Sequence, residues 1–176
     1  MALADFSPNF VADLVSRARG SARRRQHFNI HAEYADPVQR LFNGIEPDSY
    51  IRPHRHLSDP KRECLIGVRG AFALIAFDAE GGIERIVHFG AAPDLSIGVE
   101  LDHGQWHTVI AKAPGSVLFE VKQGPFDPLA AKNLAPWAPE EGSGAAVAYL
   151  EWLHRAATRR GLDHSGTRSE KSLNSD

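Results

Sequence analysis

His54, His56, Glu63 and His107 are the residues of this chain whose types and spacing point to one metal site. Three imidazoles and a carboxylate are the donors that borderline divalent metals take. His54 and His56 stand two apart in Pro53-His54-Arg55-His56, so on a β-strand both side chains leave the same face. Glu63 follows the turn-forming stretch Ser58-Asp59-Pro60 and is expected to open the antiparallel neighbour of that strand. His107 follows the turn of Asp102-His103-Gly104-Gln105 and again starts a strand. One His-x-His pair among nine histidines would mean little. The added Glu63, Gly70 and Gly104-x-x-His107 make the set specific.

Four protein ligands on a six-coordinate ion leave two positions open for substrate or water. Fe(II), Mn(II), Ni(II), Co(II) and Zn(II) all suit such donors, and the three histidines alone still make a workable site. An ion there could polarise a carbonyl, steady an enediolate or activate water, and iron could bind oxygen. Along Ser116–Lys122 the alternation puts Leu118, Glu120 and Lys122 on one face. If that face lines the barrel, Glu120 is the candidate catalytic acid or base and Lys122 a substrate-binding group near the rim. The structural alternative is a surface ion pair. Arg40 and Tyr50 precede the histidines on predicted strands and are candidates to bind an anionic or hydroxylated substrate, with a structural role as the alternative. His31 is a further candidate, and His103 is expected at the rim. Trp106 alternates with His107 and is expected to pack away from the metal face.

The elements that must position these residues are mostly strands. Val38–Phe42, Ser49–His54, Glu63–Val68, Ala71–Phe77, Ile83–Phe89, Ser96–Leu101, His107–Ala111 and Ser116–Val121 read as short strands. Asn43-Gly44, Gly81-Gly82 and Pro114-Gly115 are among the turn signals that punctuate them. The pattern predicts an all-β jelly roll of roughly eight strands. Ser7-Pro8 starts a helix that ends at Gly20, with Phe10, Val11, Leu14 and Val15 at helical spacing. A second helix is predicted within residues 142–161, with Gly161 as its stop. The chain thus divides into a helical extension (1–25), a barrel (26–141), a C-terminal helix (142–161) and a polar tail (162–176) expected to be disordered. Ala71-Phe72-Ala73-Leu74-Ile75-Ala76-Phe77 is apolar on both faces, which predicts a cover from the N-terminal helix or from a second subunit, hence a homodimer.

Bulk properties narrow the classes further. Twenty basic and twenty-two acidic residues give a net charge of −2, which offers no global attraction to nucleic acid or anionic membrane. The arginines of residues 17–25 read as a solvated helix end. A single cysteine excludes an internal disulfide, and Cys64 is expected to be a buried small hydrophobe facing away from Glu63. No apolar run approaches the roughly 18 residues of a membrane span, and the first 25 residues contain Asp5 and Asp13 without a continuous apolar core. A cytoplasmic protein with a small-molecule substrate is the expectation.

The spacing resembles the cupin superfamily, whose first motif runs Gly…His-x-His…Glu…Gly and whose second ends Gly-x-x-His. The Glu63–Gly70 interval and Gly104–His107 match it, whereas the six residues between His56 and Glu63 are more than usual and Asp102 replaces a proline. A narrower resemblance, to the WbuC family of cupin metalloproteins, runs in order from about residue 25 to 141. It rests on Asn29-Ile30-His31, Asp36-Pro37-Val38-Gln39-Arg40, Tyr50-Ile51-Arg52-Pro53-His54-Arg55-His56, Trp106-His107-Thr108, Glu120-Val121-Lys122-Gln123-Gly124-Pro125-Phe126 and Ala135-Pro136-Trp137. The resemblance implies a double-stranded β-helix with a divalent metal and a setting in bacterial surface-polysaccharide synthesis. Two functions follow: a metalloenzyme with isomerase-like, lyase-like or dioxygenase chemistry on a small carbohydrate-related molecule, or a non-catalytic sensor. The sequence shows one N-terminal helix and no helix-turn-helix, which favours the enzyme.

Overall fold

Short strands of alternating burial pair into two antiparallel five-stranded sheets that face each other. The computed structural model describes residues 3–57, 61–127 and 132–159. Its elements are α1 (Pro8–Gly20), β1 (Arg25–Asn29), β2 (Val38–Ile45), β3 (His54–Arg55), β4 (Glu63–Arg69), β5 (Ala71–Phe77), β6 (Ile83–Gly90), β7 (Gly98–Leu101), β8 (Trp106–Ala111), β9 (Ser116–Gln123), β10 (Asn133–Leu134) and α2 (Gly144–Arg159). One sheet has the order β1-β2-β9-β4-β7 and the other β10-β3-β8-β5-β6. The predicted turn at Ser58–Pro60, the stop at Gly161 and the tail over 162–176 lie outside the described residues.

Register decides what the interior contains. In the first sheet Gln39, Lys122 and Glu63 stand in one cross-strand row, with Leu41, Glu120 and Leu65 in the next row along the same face. In the second sheet His54 pairs with His107, and on the same face of β8 Val109 and Ala111 pair with Leu74 and Phe72 of β5. Ile45, Leu65, Phe72, Leu74, Val109 and Leu118 pack together between the sheets. One end of the interior is therefore a hydrocarbon core and the other is polar. The β4–β5 turn depends on Gly70 (φ 74°), where any Cβ would lie 2.2 Å from Ser116 Oγ.

The helices close the outer faces. Ser7 caps α1 by accepting a hydrogen bond from the Phe10 amide at 3.3 Å, and Pro8 occupies its first turn. Leu14 and Val15 then pack on Phe42 and Val117, on the outside of the first sheet. The apolar outer face of β5 has a different cover from the two expected. Ala146, Leu150, Leu153 and Ala157 of α2 lie on Ala73, Ile75 and Phe77. Each fully buried leucine there contributes about 2 kcal/mol, so the face that suggested a second subunit is satisfied within the chain.

Among the described residues the strands number ten rather than about eight. β1 and β10 are additions, and of Ser49–His54 only His54 is in a strand. Through that stretch carbonyls are met by side chains instead of a ladder: Arg25 donates to Tyr50 O (2.9 Å) and Thr108 Oγ1 to Ile51 O (2.6 Å). Cys64 faces away from the interior but is half-buried rather than buried. No described helix is long and apolar enough to cross a membrane.

Candidate metal centre

His54 on β3, His56 just beyond it and His107 on β8 are all buried, and their ligand-type nitrogens lie within 4.8 Å of one another. The local chain orients two of the rings. His54 Nδ1 lies 3.1 Å from Arg52 O and His107 Nδ1 2.9 Å from Gln105 O. A carbonyl can only accept, so both Nδ1 atoms carry the hydrogen and both Nε2 atoms keep a lone pair. Burial first, then the charges of Lys132 and His107, holds His54 well below the usual histidine range, which preserves the neutral ligand form.

Glu63 enters from the opposite sheet. Its Oε1 lies 3.1 Å from His56 Nε2 and its Oε2 3.3 Å from His107 Nε2. With its Nδ1 hydrogen on Gln105 O, a neutral His107 faces Glu63 acceptor to acceptor, and such atoms repel unless a proton or a cation lies between them. Atoms bound about 2.1 Å from one ion and at right angles to each other are about 3.0 Å apart, close to both contacts. The residues present fit a divalent ion, with Glu63 touching His56 and His107. Burial opposes ionisation of Glu63, but the contacts to His107 and His56 and the charge of Lys122 outweigh it and keep the carboxyl well below its ordinary range.

Lys122 links this cluster to Glu120, with Nζ 3.2 Å from Glu63 Oε1 and 2.9 Å from Glu120 Oε1. Burial alone would lower the lysine, yet Glu120 and Glu63 raise it above its ordinary value. It is therefore a fixed positive charge rather than a proton carrier. Glu120 and Lys122 also line a cavity of about 380 Å³, whose walls include Asn29, Gln39 and Asn43 from β1 and β2. The histidine cluster thus meets this cavity through the Glu63–Lys122–Glu120 chain.

Other predicted site residues lie elsewhere. Arg40 pairs with Asp36 at 3.2 Å and is not among the residues lining the cavity. Tyr50 is in the core beneath α2, where its hydroxyl donates to Pro139 O at 3.0 Å. It lines a wider groove of about 1020 Å³ beside α2, which none of the other predicted site residues touches. His103 is exposed beside Asp102 (3.2 Å), and Trp106 packs on the outer side under the Arg55 guanidinium, 4.2 Å from the ring centre. His31 is buried and lines the cavity. Reading the sequence missed Arg25, His27, Asn29, Asn43 and Lys132 in the cavity wall. Only the identity of β1 as a strand could have revealed the first three.

The two facing sheets define the chain's class: it has a double-stranded β-helix fold. Similar solved structures include an uncharacterized conserved protein with a double-stranded β-helix domain from Klebsiella pneumoniae (16% identity, 76% of this chain and 98% of that one, TM-score 0.52). CapF with the inhibitor 3-isopropenyl-tropolone matches at 17% identity over 65% of this chain and 32% of that one, TM-score 0.51. Protein SO0799 from Shewanella oneidensis matches at 8% identity over 75% and 83% of the two chains, TM-score 0.50. The model of a domain of unknown function, DUF6016, matches residues 6–89. No curated protein matches the chain.

Proposed function

We propose that this chain is a divalent-metal enzyme acting on a small polar, carbohydrate-related substrate by isomerase- or lyase-type chemistry without a redox change. The observation that carries the metal is the buried convergence of His107 Nε2 and His56 Nε2 on the two oxygens of Glu63. A bound ion would supply Lewis acidity towards a carbonyl or hydroxyl oxygen of the substrate. The chain's own residues supply the rest. Glu120, nearly buried and held by Lys122, is the group placed to take or return a proton at the cavity wall. Lys122 keeps its charge and balances negative charge that develops beside it. The amides of Asn29, Gln39 and Asn43 offer donors and acceptors of the kind a polyhydroxylated substrate uses. The resemblance to the WbuC cupins supports the carbohydrate setting.

Elemental analysis of protein purified without chelator or added metal, beside His56→Ala, tests the reading. Near-stoichiometric manganese, nickel, cobalt or zinc in the parent and little in the variant is the expected result, followed by turnover in a screen of sugars and sugar nucleotides. Iron with substrate-dependent oxygen consumption would replace the non-redox chemistry by a dioxygenase. No metal in either protein, even after reconstitution, would overturn the enzyme and leave a ligand-binding barrel.

A further inference from the structure

The cavity wall beyond Glu120 carries more positive than negative groups. Arg23, Arg25, Lys122 and Lys132 line it, against Glu120 as its one acidic residue among the described residues. Most of that charge has a partner: Glu141 clamps Arg23 and Arg25 at 2.7 Å, and Glu63 and Glu120 hold Lys122. Lys132 makes no ion pair among the described residues, although the charges of Glu120 and Glu63 act on it from a distance. It stands at the exposed mouth of the same cavity as His27, close enough that its charge, after burial, helps hold that imidazole below its ordinary value. The wall is thus set with mutually repelling groups that an anion would relieve.

Two neighbouring side chains point to a hydroxylated ligand with an anionic end. His31 Nδ1 lies 3.0 Å from the Arg40 amide and 2.9 Å from the Arg40 carbonyl oxygen, and its ring lines the cavity with Nε2 free to donate to or accept from a hydroxyl according to tautomer. Asn43 Oδ1 is buried with no hydrogen-bond partner, although Asn43 lines the same space. A buried acceptor without a donor is costly, and a ligand hydroxyl would satisfy it. A divalent ion on three neutral imidazoles and Glu63 would add one further net positive charge at the Glu120 end.

We propose that the cavity takes a hydroxylated oxyanion, a sugar acid or sugar phosphate, with its carboxylate or phosphate at Lys132 and His27 and a hydroxyl on Asn43. The assignment rests on the metalloenzyme reading above and narrows its substrate from small polar molecules to anionic ones. It leaves the remainder of the ligand facing Glu120 and Lys122.

Calorimetric titration of the metal-loaded full chain with glucose, glucuronate and glucose 6-phosphate at low ionic strength tests it, alongside Lys132→Met, Lys132→Arg and an elemental analysis of every sample. At least one of the two anions should bind at least about tenfold more tightly than glucose. Lys132→Met should lose about that factor, Lys132→Arg should retain most of it, and added salt should weaken the anion alone. Preference for glucuronate or for glucose 6-phosphate tells a carboxylate from a phosphate. Full metal occupancy with equal binding of all three, with no binding of either anion, or with Lys132→Met unaffected would overturn the anionic subsite while leaving the metal site intact. Loss of metal from the parent protein would instead overturn the reading beneath it.

Discussion

The two ends of the same sandwich interior are built from the same strands and obey opposite rules. At one end Phe72, Leu74, Val109 and Leu118 fill the space between the sheets with hydrocarbon. A few residues along the same strand faces, His107, Glu63, Glu120 and Lys122 project inward and are also largely buried. The first end stabilises the fold through apolar burial. The second is tolerable because its charges are paired, and it adds little to stability. Strand alternation extends across both, so the fold provides the polar end with a rigid floor.

Substitutions at each end should separate these roles. The largest loss of stability is expected from Phe72→Ala, which empties a fully buried aromatic position and should cost about 4 kcal/mol. Denaturant unfolding should show the loss, while the metal content of the folded fraction stays at the parent level. Lys122→Met leaves Glu63 and Glu120 without their ammonium and should cost about 3 kcal/mol in metal-free protein. Added divalent metal should restore more stability to this variant than to the parent, read as the difference in Tm. Equal restoration would show that the two cations do not share Glu63.

Glu63→Gln should lower metal affinity about tenfold without abolishing it, because three histidines remain; chelator competition measures the change. The smallest effect belongs outside the interior, at Glu141. The Arg23 and Arg25 contacts outweigh burial and hold its carboxyl at about 2 instead of the usual 4.5. A depressed carboxyl stabilises the fold above its unfolded pKa and loses that contribution as pH falls. Glu141→Gln should therefore narrow its stability gap to the parent between about pH 4.5 and 2. A gap that stays constant across that window would remove the clamp from the account of how β1 is held.

Much of the polar end was legible because its geometry is local. Two-residue spacing put Glu120 and Lys122 on one face of β9, and Ser7-Pro8 marked the start of α1. β1 was not legible: Arg25-Gln26-His27-Phe28-Asn29 has no apolar alternation and is a strand because β2 pairs with it from Arg25↔Ile45 to Asn29↔Leu41. Tyr50 and Arg40 carry side chains suited to a substrate, but long-range packing puts Tyr50 beneath α2, and a contact four residues back turns Arg40 to Asp36.

The sequence by itself determined the facing of β4, β8 and β9, because pleat and turn chemistry act between near neighbours. It thereby determined the double-stranded β-helix fold and the donor types at residues 54, 56, 63 and 107. Only the tertiary structure decided that α2 covers β5, that Lys122 bridges two carboxylates, and that β1 brings His27 and Asn29 to the cavity with Lys132. Those outcomes depend on which surfaces meet across long stretches of chain, and burial there rewards shape and charge matching that no local spacing encodes.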